Sequence, residues 1–151
     1  MAIDIQNYFL AGMFIAAAVD RFILKRKQVV LKGAGEGVAK GCAVAFPVSF
    51  QVNCLKLKGA QIEYWLRDSN NPTAVITGKT RPLDFAPKGL NHEYLLIDTR
   101  YLTEGTWMLT IRITHGNSRT NPLYRIFPLQ EAVSRSYGIA KSEEGVFRVI
   151  N

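Results

Sequence analysis

Apolar and polar positions alternate with period two along most of this chain, and the longest such run is CAVAFPVSFQVNC at residues 42–54. Its even positions are apolar and its odd positions mostly small or polar, as in a strand that lays one face on a core. Pro47 falls in the middle of the run. A proline cannot donate to a sheet ladder, so this position predicts an edge, a bulge or a break between two shorter strands. Further strand-type segments follow at QIEYWLRD (61–68), TAVITGKT (73–80), HEYLLID (92–98) and PLYRIFPL (122–129). In TEGTWMLTIRITHG (103–116), Trp107, Leu109, Ile111 and Ile113 alternate with Met108, Thr110, Arg112 and Thr114. Short strands separated by turn residues predict a mainly β protein, an antiparallel sandwich or barrel.

The start of the chain has a different rhythm. MAIDIQNYFLAGMFIAAAVDRFILKRK is uncharged from Tyr8 to Val19, then carries Asp20-Arg21, a second apolar group and the cluster Lys25, Arg26, Lys27. This pattern predicts one N-terminal hydrophobic α-helix over residues 1–27. Three roles compete for it. A cleaved signal peptide would use the alanines at 16–18, but the start lacks the basic residue such peptides carry. A membrane helix from about Ile3 to Leu24 would have adequate length, with Arg21 snorkelling to the interface. An assembly helix packed on another protein chain would use the small residues Gly12 and Ala11, Ala16, Ala17 and Ala18 for close approach. Tyr8, Phe9, Met13, Phe14, Ile15, Phe22 and Ile23 would carry the anchoring in either case. Lys25, Arg26 and Lys27 would meet lipid headgroups or an acidic neighbour. The excess of Lys and Arg after the helix predicts a single pass with the body on the cytoplasmic side, or a place in a virion.

Four segments result: the helix at 1–27, a glycine-rich connector at 28–41 in which QVVLK (28–32) could make a short strand, the sandwich at 42–130, and a tail at 131–151 whose GVFRVI could add a strand. The connector GAGEGVAKG fits neither G-x-x-x-x-G-K-[ST] nor G-x-G-x-x-G, so its glycines read as chain freedom and not as a phosphate cradle.

From Cys54, Trp65 and the Trp107 strand, residues 42–130 resemble immunoglobulin-like and fibronectin-type β-sandwiches. The resemblance would put Cys54 on strand B and Trp65 on strand C, with Trp107 and Leu109 standing where strand F usually carries tyrosine and cysteine. The second cysteine is missing, so the usual inter-sheet disulfide cannot form and only the architecture carries over. The core is then expected from Phe46, Phe50, Cys54, Trp65, Trp107, Leu109 and Ile111. Cys42 and Cys54 would lie roughly 40 Å apart on one extended strand, far beyond disulfide reach. Both are expected as small buried thiols in a reducing compartment.

The chain has 151 residues, a formal charge of +7 and an apolar fraction of 48%, which suits one domain with a full core. The charge permits nucleic acid, anionic lipid or acidic protein as partner. Lys56, Lys58, Lys79, Arg81, Arg112, Arg119 and Arg125 interleave with tyrosines, so a nucleic-acid-binding module that oligomerises through its helix is the alternative reading. His92 and His115 lack the neighbours a zinc site or a nucleophilic pair requires, so no enzyme, metal or cofactor is expected. The leading expectation is a structural or accessory subunit of a larger assembly, a minor virion protein or a component of a membrane machine. Its partners would be other proteins, further copies of itself, and a membrane.

Overall fold

A computed structural model describes residues 5–116, 118 and 120–151. It is mainly β, two antiparallel sheets around one core, preceded by an N-terminal helix.

The CAVAFPVSFQV run forms β3 (Ala43–Val52), the middle strand of the first sheet. On one flank it pairs with β7 (Gly89–Asp98) over ten residue pairs without a break in register. On the other flank lie β1 (Val29–Ala34) and β2 (Val38–Lys40), end to end. Pro47 sits where β1 hands over to β2, and its carbonyl accepts from the Gly35 N–H at 2.8 Å. The missing N–H therefore faces the gap. The break that proline requires occurs in the partner strands and leaves β3 whole.

The second sheet runs β10 (Phe147–Ile150), β9 (Leu129–Lys141), β8 (Gly105–His115), β4 (Gln61–Asp68) and β5 (Val75–Thr77), with the short β6 (Arg81–Pro82) also on β4. Alternation sends Val44, Phe46, Val48 and Phe50 of β3 toward Ile62 and Leu66 of β4 and Leu109, Ile111 and Ile113 of β8, all buried. Each such side chain contributes roughly 1.5–3 kcal/mol by leaving water. Phe46 and Tyr137 join the sheets, with ring centroids 4.8 Å apart.

Several expectations change. Residues 28–41 are not a free connector, because β1 and β2 complete the first sheet from within that segment. The segment at 122–129 is not a strand: Leu123–Ile126 forms a single helical turn, α2, before β9 begins. The tail at 131–151 carries most of β9 as well as β10, so the sheets extend beyond residue 130. Trp65 is not a core residue. Tyr64 and Leu66 take the inward positions of β4, which turns Trp65 to the outer face, where the Arg112 guanidinium lies 5.3 Å from its ring. That parity is opposite to the strand C tryptophan of immunoglobulin-like domains. Cys42 is exposed and Cys54 is half-buried against the core rim; both thiols are free. Cys42 emerges because β3 begins only at Ala43.

Candidate functional site

The helix α1 spans Ile5–Val19 and buries none of its residues. Tyr8, Phe9, Met13, Phe14 and Ile15 are all exposed, as are Phe22 and Ile23 in the turn that follows. A helix apolar around its circumference belongs in a protein core or a bilayer. This one stands outside the core of its own chain. With its following turn it forms one helix of 20 residues, Ile5–Leu24, long and apolar enough by length and composition to cross a membrane, of which Ile5–Val19 is the uncharged part and Asp20 and Arg21 lie in the turn.

The helix meets the body only at its C-terminal end. Asp20–Leu24 widen into an i→i+5 turn, and Lys25 stops it in the left-handed conformation with φ 46°, its N–H donating to the Asp20 carbonyl. Around this turn a polar bracket forms. Arg21 is 8% exposed and donates to the carbonyls of Phe127 and, at 3.0 Å, Pro128. The Tyr124 hydroxyl donates to the Asp20 carbonyl at 2.9 Å and accepts from the Arg26 N–H at 2.9 Å. Asn121 donates to the Ala17 carbonyl at 2.9 Å and to the Asp20 carboxylate at 3.0 Å. Arg26 pairs with Asp20 at 2.6 Å, and Lys27 pairs with Glu131 of β9. Phe22 packs on Phe127, ring centroids 5.8 Å apart.

Two of the three residues expected as a basic flank are thus engaged within the chain. Lys25 is exposed, and no ion pair forms at it among the described residues. Arg21 does not snorkel outward; it folds back into the body. Of the bracket residues, Tyr124 figured in the sequence only as one of the tyrosines among the basic residues, and Asn121 and Glu131 were not candidates. Their one signal was the Asp20-Arg21 pair, costly inside an apolar run unless partners await it.

Behind the bracket, His115 at the end of β8 is 1% exposed. Neither ring nitrogen makes a hydrogen bond of ordinary geometry, and the Val29 backbone lies alongside. Burial pushes its pKa below the usual value; Glu131 opposes this, while Lys27 and Arg21 reinforce it. Burial raises the Glu131 carboxyl, but Lys27 and the Leu31 N–H, 2.8 Å away, outweigh it and hold the group below its ordinary value. Near the start of β7, His92 hydrogen-bonds Ser49 at 2.9 Å. Among the described residues no three His, Cys, Asp or Glu side chains are grouped to hold a metal ion.

An exposed apolar helix is thus held to a β body by polar contacts at its C-terminal end. The sequence agrees: the LydB family, described as LydA-holin antagonist, matches residues 9–146, and the chain belongs to that family. No curated protein matches it. Among solved structures, a putative late embryogenesis abundant protein is similar with a TM-score of 0.47 and 13% identity, over 96% of this chain and 84% of that one. A β-glucosidase from Kluyveromyces marxianus reaches a TM-score of 0.38 at 11% identity, over 80% of this chain and 17% of that one.

Proposed function

We propose that this protein restrains a LydA-type holin by direct contact at the membrane, acting as a non-enzymatic accessory subunit. One observation carries the reading: α1 is apolar on every side and excluded from the core of its own chain, in a member of a holin-antagonist family. The helix enters the bilayer and offers Gly12 and Ala16, one turn apart, to a membrane helix of the holin. A Cβ added at Gly12 meets no atom within 4 Å, so that face is open to a partner backbone. The bracket fixes the helix to the sandwich, which serves as the docking module. The cytoplasmic side for the body is supported by the positive-inside bias of Lys25 and the lysines of the adjoining loops.

The test is co-production of the full chain with a LydA-type holin, reading holin-dependent membrane leakage with an impermeant dye. The full chain delays leakage and co-purifies with the holin from detergent. Gly12→Leu, which blocks close approach but keeps the helix apolar, abolishes both while the chain stays in the membrane. Unaltered leakage with the full chain present refutes the proposal.

A further inference from the structure

The uncharged part of the helix is short for a bilayer. Ile5–Val19 has 15 residues, about 22 Å against a hydrocarbon thickness near 30 Å. A short span draws its flanks toward the interface. Here the C-terminal flank is the bracketed turn, so the end of the sandwich that holds the bracket is drawn to the membrane with it.

The strand registers identify what else lies at that end. β1 begins opposite the end of β3 (Val29 with Val52), where β7 also begins, while β4 begins opposite the end of β8. The loops 53–60 and 83–88 therefore share this pole with the helix base. They are fixed to it and to each other: Asn53 N–H donates to the Gln28 carbonyl at 2.8 Å, Gly59 N–H to Asp84 Oδ1 at 2.8 Å, and Leu83 N–H to the Ala60 carbonyl at 2.9 Å.

These two loops present large apolar side chains to water. Leu55 is 85% exposed and Phe85 97% exposed, at loop tips where neither side chain has a packing role. Lys56, Lys58 and Lys88 stand exposed beside them. The far pole mixes its charges, with exposed Glu104, Glu143 and Glu144 beside exposed Lys40, Arg67, Arg100 and Lys141. Apolar tips flanked by three lysines, with Asp84 as the one exposed carboxylate in the two loops, on the pole next to a membrane helix, match the two layers of an anionic lipid surface: acyl boundary and phosphate.

We infer that loops 53–60 and 83–88 form a second, peripheral membrane contact, with Leu55 and Phe85 entering the headgroup boundary of an anionic bilayer and Lys56, Lys58 and Lys88 on lipid phosphates. This inference builds on the membrane reading of α1, and it makes the pole a two-point attachment that sets the tilt of the body.

The test uses the full chain reconstituted in vesicles of phosphatidylcholine alone and of phosphatidylcholine with one-third phosphatidylglycerol. Amide hydrogen exchange reads the loops, and vesicle flotation after a carbonate wash reads the helix. Exchange across 53–60 and 83–88 slows on the order of tenfold in the anionic vesicles, and Leu55→Ser with Phe85→Ser removes the slowing without changing flotation. Equal loop exchange in both vesicles from a chain that floats with both overturns the loop contact and leaves the helix anchor standing. A chain that floats with neither overturns the anchor and the inference together.

Discussion

The Tyr124 hydroxyl and the Asp20 carbonyl, 2.9 Å apart, are separated by 104 residues of sequence. This bond ties the last turn of the apolar helix to the connection between β8 and β9. Because the same hydroxyl accepts from the Arg26 N–H, one phenol satisfies groups on both sides of the left-handed stop at Lys25. Tyr124→Phe keeps the ring and removes both bonds. It is expected to lower the stability of the full chain in mild detergent by about 1–1.5 kcal/mol, with hydrogen exchange rising first at residues 20–27.

Arg21 is the stronger element of the bracket. Its guanidinium is buried and serves two main-chain carbonyls, Phe127 and Pro128. Arg21→Met retains much of the volume and leaves both carbonyls without this donor, so a loss of about 2 kcal/mol is expected in denaturant unfolding. Arg21→Lys recovers only part of it, because an ammonium lacks the planar fork.

Acidification weakens the same junction. The folded-state pKa of His115 lies below its unfolded value of 6.5, so below that pH the unfolded chain binds the proton more readily. Stability is complete above pH 6.5 and falls as the pH drops toward the folded pKa, by up to about 1.4 kcal/mol for each unit of depression. His115→Leu is expected to flatten the profile just below pH 6.5. Any remaining acid loss then lies lower, where Glu131, whose folded pKa is also depressed, takes up its proton. A wild-type profile level across pH 5 to 7 contradicts this.

Gly116 follows β8 at the point where the chain turns toward α2. A Cβ there would stand 2.6 Å from the Tyr124 carbonyl oxygen and 3.1 Å from the Pro128 Cα. Both are backbone atoms and cannot rotate away. Gly116→Ala is expected to cost about 2 kcal/mol, the scale of an overpacked interior, and to loosen the bracket as Tyr124→Phe does. Equal melting temperatures for Gly116→Ala and wild type exclude this role.

Periodicity revealed the strands whose neighbours are regular. β3, β4, β7 and β8 all stand out from apolar alternation, and Phe46, Phe50, Trp107, Leu109 and Ile111 take the core positions their parity implies. The resemblance to immunoglobulin-like domains misled at Trp65: it implies an inward strand C tryptophan, whereas Ile62, Tyr64 and Leu66 are the residues that face inward. β1 was legible in part, since QVVLK at 28–32 reads as a short strand, whereas β2 was hidden because Gly33, Gly35 and Gly37 also suit a flexible linker. Two of these glycines are required by packing: a Cβ would fall 2.8 Å from the Pro47 ring at Gly35 and 2.9 Å from the Val149 side chain at Gly37. The bracket was almost invisible, since its partners lie about a hundred residues apart and Asn121 and Tyr124 follow no local pattern. The apolar character of α1 was legible at once, because no tertiary context is needed to see it.

The most direct measurement of the central claim is the partition of the full chain after alkaline carbonate washing of membranes from producing cells. Wild type is expected in the membrane pellet. Phe9→Asp with Phe14→Asp, which puts two carboxylates on the exposed helix at a cost of several kcal/mol in hydrocarbon, is expected in the supernatant with the sandwich still folded. Wild-type protein recovered in the supernatant would contradict an anchor built from Ile5–Leu24.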